Sequence, residues 1–212
     1  MRNSLFHKFL LFFILGCIIS PLIMGQKKAV VSGSVPGMSS AFDTSFEKGL
    51  YKGSLDISKH HISGLFFLKR FSANDIRIVF SNEMGMNFFD VELKQNEFIV
   101  HSCFPSLNRE ALLKLLENDF RLLLFTDTTI FKIKQGRSKD PELNVFGVRS
   151  AMGSFHYTLD KDSGKVRRIQ TSRSILGRTD LRVYGDNPRQ PSKVHIMNAT
   201  IRLHLHMVSL NK

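Results

Sequence analysis

The sequence predicts a mainly β fold with α: a curved antiparallel sheet or open half-barrel of about nine to eleven strands, wrapped around one main amphipathic helix. Three observations predict it. Short runs rich in β-branched and aromatic residues follow one another with turn residues between them. One segment alone, near the middle of the chain, repeats its leucines at helical spacing. No helical pattern interrupts the first five β runs, so their connections are hairpins and the strands meander.

The chain has 212 residues, 42% of them hydrophobic and 23% charged, with nineteen Phe and no Trp. That composition buries a core, and the length suits one domain behind a targeting segment. Residues 1–25 read as a signal peptide. Arg2 and Lys8 bring charge with no acid, Phe9 to Ile19 form an apolar run, and Ser20 to Gly25 lead out through Pro21. The apolar run is short for a membrane span, and Pro21 ends its helix, although an uncleaved anchor would use the same residues.

Two processing sites compete. Ile14-Leu15-Gly16-Cys17 has the form of a bacterial lipobox, which would lipidate Cys17, whereas cleavage after Gly25 would leave Gln26 first. Either way the protein is expected to be exported, to the periplasm or the periphery of the outer membrane. Cys17 and Cys103 are the only cysteines, so no disulfide forms within the domain. The net charge is +12, and loss of Arg2 and Lys8 with the signal leaves +10. Beyond the cytoplasm such a surface suits anionic membrane lipid, or simple solubility, better than nucleic acid.

Residues 26–47 are small and turn-rich, a linker or lead-in segment, and residues 48–212 form the single β-rich domain. Within it the first five runs are Tyr51 to Ser58, Ile62 to Arg70, Asp75 to Ser81, Met86 to Lys94 and Glu97 to Cys103, with His60-His61 assigned to a turn. Alternation is cleanest in the third and fourth. Ile76, Ile78 and Phe80 oppose Arg77 and Ser81, and Phe89, Val91 and Leu93 oppose Asp90, Glu92 and Lys94, so one face is buried and the other wet.

The period then changes. Leu112, Leu113, Leu116, Phe120, Leu123 and Leu124 mark a helix from about Arg109 to Leu123, with Asn108 as N-cap, Leu107 stapling onto Leu112 and Glu110 in the first turn. Further strands follow at Thr129 to Lys134, Val145 to Ser150, Ser154 to Asp160 and Val166 to Ser172, with a short one at Leu181 to Tyr184 inside a basic loop from Arg173 to Pro191. Lys193 to Asn198 and an alternating terminal strand, Ile201 to Met207, close the chain.

Chemistry-bearing motifs are few. His204 and His206 share a strand face, with His195 on the preceding strand, but the set lacks an assured further zinc ligand. His101 and Cys103 share a face too, with no acid in sequence to orient them as base and thiolate. The chain carries no phosphate loop, dinucleotide fingerprint, GxSxG elbow or HExxH helix. The expectation is a protein that is not an enzyme and needs no cofactor or metal.

The large apolar side chains on the strands either fill the interior or line a greasy cleft, and periodicity does not choose between them. The order of elements, with Ser63-Gly64-Leu65-Phe66-Phe67-Leu68-Lys69-Arg70, Arg77 to Gly85 and Phe88-Phe89-Asp90, resembles the LolA/LolB-like lipoprotein carriers, in particular exported Bacteroidetes-type proteins of that shape. In those families an open β half-barrel covered by helices holds acyl chains in an apolar cavity. Their cavity tryptophans have no counterpart here.

The resemblance implies a lipid or other apolar ligand held by Leu65, Phe67, Ile78, Phe80, Phe89, Val91 and Phe98, with Leu116 and Phe120 of the helix as plug or lid. Lipid or an acylated protein would be the partner, with an anionic membrane surface as a further one and no nucleic acid. The alternative is an envelope interaction protein with a filled core, docking through the basic loop.

Overall fold

Alternating burial along the first strands builds a five-stranded meander: β1 (Lys48–Ile57), β2 (His60–Ser72), β3 (Asp75–Ser81), β4 (Asn87–Lys94) and β5 (Glu97–Cys103). The structure is a computed structural model and describes residues 41–95, 97–124, 130–173, 177–187 and 189–210, without the side chains of Phe131, Ser172 and Arg173. The signal peptide, both processing sites and the lead-in segment to residue 40 lie outside the described residues. At the end of that lead-in, Phe42 and Phe46 are buried, and their rings meet at 4.8 Å.

Helix α1 (Glu110–Leu124) follows β5, and a second meander runs through β6 (Ile130–Gln135), β7 (Leu143–Ser150), β8 (Gly153–Asp160), β9 (Val166–Arg173), β10 (Thr179–Tyr184), β11 (Lys193–Asn198) and β12 (Leu203–Ser209). β12 pairs with β1, so both meanders join in one antiparallel sheet of twelve strands, ordered β5-β4-β3-β2-β1-β12-β11-β10-β9-β8-β7-β6. That exceeds the nine to eleven strands expected, because every run marked in the sequence pairs, the short one at 181–184 with β11 along its length and with β9 over Asp180–Arg182. The basic loop expected from Arg173 to Pro191 accordingly contains β10.

The sheet does not close, and β5 and β6 are its edges. The helix connects those two edges and lies against the apolar face. Its buried residues include Leu112, Leu115, Leu116, Phe120, Leu122, Leu123 and Leu124, more than one amphipathic stripe. Asn118, Asp119 and Arg121 are buried with them.

Two polar contacts pin the helix. Toward the first meander, the Arg121 guanidinium donates to the Gln95 carbonyl at 2.8 Å and the Glu97 carbonyl at 3.0 Å, and to Glu117 Oε1 one turn back at 3.0 Å. Toward the second, Asn198 Nδ2 donates to Thr179 Oγ1 at 3.0 Å, and Thr179 Oγ1 donates to Asp119 Oδ1 at 3.1 Å. Asp119 Oδ2 is buried with no hydrogen-bond partner. Burial lifts the Asp119 carboxyl to about 7, against smaller lowering by Thr179 and Asn118.

On the core side, Phe66 stacks on Phe80 at 4.0 Å, Phe89 sits 5.6 Å from Phe80, and Phe120 of α1 meets Phe89 at 6.2 Å. Gly53 and Gly64 face each other across β1 and β2. A Cβ on Gly64 would stand 2.1 Å from the Ser81 carbonyl oxygen, so β3 turns over β2 there only because the side chain is absent.

Asp119 makes stability depend on pH. With a folded value near 7 against 3.8 for the free group, the native state keeps a proton that the unfolded chain releases between about pH 4 and 7. Stability from this group therefore falls as pH rises through that window. Asp119→Asn mimics the protonated acid, so urea unfolding should show a gain of only about 1 kcal/mol at pH 4.5, growing to roughly 2–4 kcal/mol at pH 8. A difference that is equal at both pH values would sink the assignment.

Arg121→Lys supplies one nitrogen where three acceptors converge, so the denaturation midpoint should drop by an amount equal to about 1–3 kcal/mol. An unchanged midpoint would show that the two carbonyls find other donors.

Candidate functional site

The turn joining β1 to β2 is two residues, Ser58 and Lys59, with Ser58 in the left-handed region at φ 57°. His60 and His61, expected in that turn, instead open β2, because Asp56 and Ile57 pair opposite them. His61 Nδ1 is bonded to Asp56 Oδ1. Ser58 N donates to the Arg202 carbonyl at 3.2 Å, which ties this turn to the one between β11 and β12.

Before α1, short turns bring Leu107 and Asn108 amides onto the Phe104 carbonyl at 2.8 and 3.1 Å. The first helical amides then bond to the Arg109 carbonyl, so the helix starts at Glu110, one residue beyond the expected Arg109. The cap position thus falls on Arg109 and not on the expected Asn108, while Leu107 and Leu112, the expected staple pair, are both buried.

Between these segments lies a hollow of about 530 Å³, within the range of small-ligand pockets. Its apolar wall is built by Ile57 and Ile62 of the β1–β2 hairpin, Phe88 of β4, Phe104 and Leu107 before the helix, and Leu112. Ile201 and Ala111 complete it, and Lys59, His60, His61, Ser58, Ser106 and Arg109 supply the polar side. Phe104 is 41% exposed, an apolar ring left open to solvent at the margin. The chemistry offered is an apolar recess with cations beside it.

None of the nine expected ligand residues lines this hollow. Ile78, Phe80, Phe89, Val91 and Phe120 have no exposure, and Leu116 has 1%. Phe98 is half-buried on β5. Leu65 and Phe67 stand on the opposite face of β2 from Gly64, Phe66 and Leu68, with Phe67 39% exposed. That face follows from the register, in which Phe66 pairs with Phe80 and Leu68 with Ile78.

The other motifs also find their places. His195 pairs directly with His206, and the His195 ring lies 5.8 Å from His206 and 6.4 Å from His204. Among the described residues no group of three or more His, Cys, Asp and Glu is arranged to hold a metal. Burial, the two neighbouring histidines and Arg182 push His195 below its ordinary value.

A bulge in β5 places Ser102 opposite Asp90 and Val100 opposite Val91, so His101 is the extra residue. Contrary to the expectation that no acid orients it, His101 Nε2 bonds to Glu92 Oε2 at 2.7 Å. The Cys103 thiol is raised by burial, the opposite of an activated thiolate.

No protein-family model and no curated protein matches the chain. Among solved structures, a LolA superfamily protein from Nitrosomonas europaea superposes with a TM-score of 0.58 at 10% identity, covering 80% of this chain and 86% of that one. A DUF1329 family protein from Desulfovibrio piger superposes with a TM-score of 0.51 at 10% identity, covering 79% of this chain and 85% of that one. At such identity the fold is what is shared. The open twelve-stranded sheet around one helix is a LolA-like fold, as the resemblance in sequence implied.

Proposed function

We propose that this is a non-enzymatic, exported envelope protein of the periplasm or outer-membrane periphery that carries a lipid or the acyl chain of an acylated protein. The observation that carries the reading is the 530 Å³ apolar hollow at the helix N-terminal end of a LolA-like fold. An acyl chain inserted there gains roughly 0.8 kcal/mol for each methylene removed from water. Lys59 and Arg109 beside the recess favour an amphiphile whose head is anionic. Of the buried residues Ile78, Phe80, Phe89, Val91, Leu116 and Phe120, Phe80 meets the wall directly, its ring 5.0 Å from that of Phe88.

No covalent step belongs to this mechanism, and the binding needs no cofactor. Release follows from mass action once a receiving membrane or partner competes for the chain. A signal peptide over residues 1–25 supplies export by cleavage after Gly25, and processing at Cys17 instead would leave a lipid anchor.

A second reading is favoured by the full burial of six of the nine residues first expected to form the wall. In it the interior is a filled core, and the protein acts by docking in the envelope, with the hollow only a surface recess.

Titration with a fluorescent fatty acid, together with native mass spectrometry and lipid extraction, separates the two. Ala111 is exposed and lines the recess, so Ala111→Trp should fill it, weaken fatty acid binding at least tenfold and leave the melting temperature unchanged. Stoichiometric lipid in the wild type that disappears in this variant supports the carrier. A lipid-free mass and no uptake in the wild type would leave the filled-core reading standing.

A further inference from the structure

Charge is divided unequally between the two meanders. Residues 130–210 contain fifteen Lys and Arg against six Asp and Glu, whereas residues 41–124 contain ten against eleven. The excess cations of the second meander gather on the sheet face turned away from α1. The register sets this out in rows. Lys132 of β6 pairs with Arg149 of β7, and Lys134 pairs with Gly147, which in turn pairs with His156 of β8. Arg168 of β9 pairs with Arg182 of β10, which pairs with His195 of β11 and so leads to His206 of β12.

Acids on this face are few. Asp180 alone serves both Arg168, bonded at 2.7 Å through two nitrogens, and Arg182 at 3.0 Å, so the trio keeps a positive charge. Among the described residues Lys132, Lys134 and Arg149 have no ion-pair partner, and all three are exposed. Two shallow recesses punctuate the face. One, of about 320 Å³, lies between Lys132, Lys134, Arg149 and His156, over the bare backbone of Gly147. The other, of about 400 Å³, lies between Arg167, Arg168, Arg182, Tyr184 and Asp186, and there Arg167 is paired with Asp160 at 3.3 Å and Asp186 at 3.2 Å, which leaves the Arg168–Asp180–Arg182 trio as its net cation.

We propose that the outer face of β6 to β12 is the surface on which this protein docks to an anionic lipid bilayer. Charge complementarity chooses a polyanion, since uncompensated cations spread over several strands attract a plane of phosphates additively and weakly bind any single one. The apolar groups on the same face choose a bilayer over nucleic acid. Tyr184 is 43% exposed with the Lys193 ammonium 5.8 Å from its ring, and Val208, paired with Lys193, is 40% exposed. A tyrosine beside lysine and an aliphatic side chain suits the boundary between head groups and acyl chains, and one lone ring offers no stacking platform for successive bases. The recesses between the cations admit lipid phosphates below the level of the exposed side chains.

The proposal is independent of what fills the hollow beside α1, and its test is separate from fatty acid uptake. Protein recovered from the envelope fraction of expressing cells is co-sedimented with phosphatidylcholine vesicles, with and without phosphatidylglycerol. The ratio of the two affinities is read, so that any apolar anchor common to both cancels. The variant Lys132→Glu, Lys134→Glu, Arg149→Glu is compared with Lys48→Glu, Lys69→Glu, Lys94→Glu, which carries the same change in net charge at exposed positions of the first meander.

The expected result is a preference for anionic vesicles that falls about a hundredfold in the first variant and changes only a few-fold in the second. The glutamine series at the same first three positions should give about tenfold or more, with unchanged thermal unfolding. Equal losses in both charge-reversal variants would overturn the proposal, since net charge alone would then explain binding. So would the absence of any anionic preference, or tighter binding to duplex DNA lost through the same three residues.

Discussion

A sheet that does not close leaves its apolar face open along its length, and one helix must cover it. The order of elements makes this unavoidable: β5 and β6 are consecutive strands in the chain and opposite edges of the sheet, so the segment between them has to cross the whole structure. That crossing is α1. Its two polar anchors point in opposite directions, Arg121 to the Gln95 and Glu97 carbonyls, Asp119 through Thr179 to Asn198. The helix is therefore a tie between the two meanders as well as a plug. The only strand-level tie among the described residues is the pairing of β1 with β12.

The anchors differ in character. Arg121 brings a charge into a buried place but satisfies it with two carbonyls and Glu117, so little of its desolvation is uncompensated. Asp119 keeps one oxygen unpartnered, and its raised carboxyl reflects that. A well-partnered contact holds the first meander, and a titrating one holds the second. Loosening on alkaline deprotonation would thus begin at β10 and β11, the strands that carry Thr179 and Asn198.

The alternation of β3 and β4 was largely legible, because polar and apolar residues exchange over Asp75–Ile78 and Phe89–Lys94, with Val79 and Phe88 as the exceptions. In β2 it was not. Leu65-Phe66-Phe67-Leu68 is apolar at every position, so composition does not say which pair faces inward, and only the pairing of Phe66 with Phe80 decides it. The buried acid and arginine of α1 were hidden for a related reason. Asp119 and Arg121 in an amphipathic helix read as its wet side, and their burial depends on strands from both meanders reaching around it. The hollow was missed because its walls come from strand ends, turns and helix-flanking residues, Ile57, Phe104 and Ile201 among them, which are held by the Ser58–Arg202 and Phe104–Phe88 backbone bonds and not by any periodicity.

These placements explain why the aromatic strand residues and the recess are not the same thing. Phe66, Phe80, Phe89 and Phe120 stack across the middle of the molecule, where strands and helix approach from both sides. At the N-terminal end of α1 the helix has only begun, and the hairpin turns of β1–β2 and β11–β12 replace continuous strand. Side chains there are supplied by fewer neighbours, so Phe88 and Phe104 border space instead of filling it. The same geometry separates the recess from the basic rows: one opens where the central strands turn, and the other spreads over strands toward the β6 edge. A LolA-like sheet can thus present an apolar hollow with Lys59 and Arg109 at its margin and, apart from it, a charged face on which Lys132 and Arg149 stay exposed.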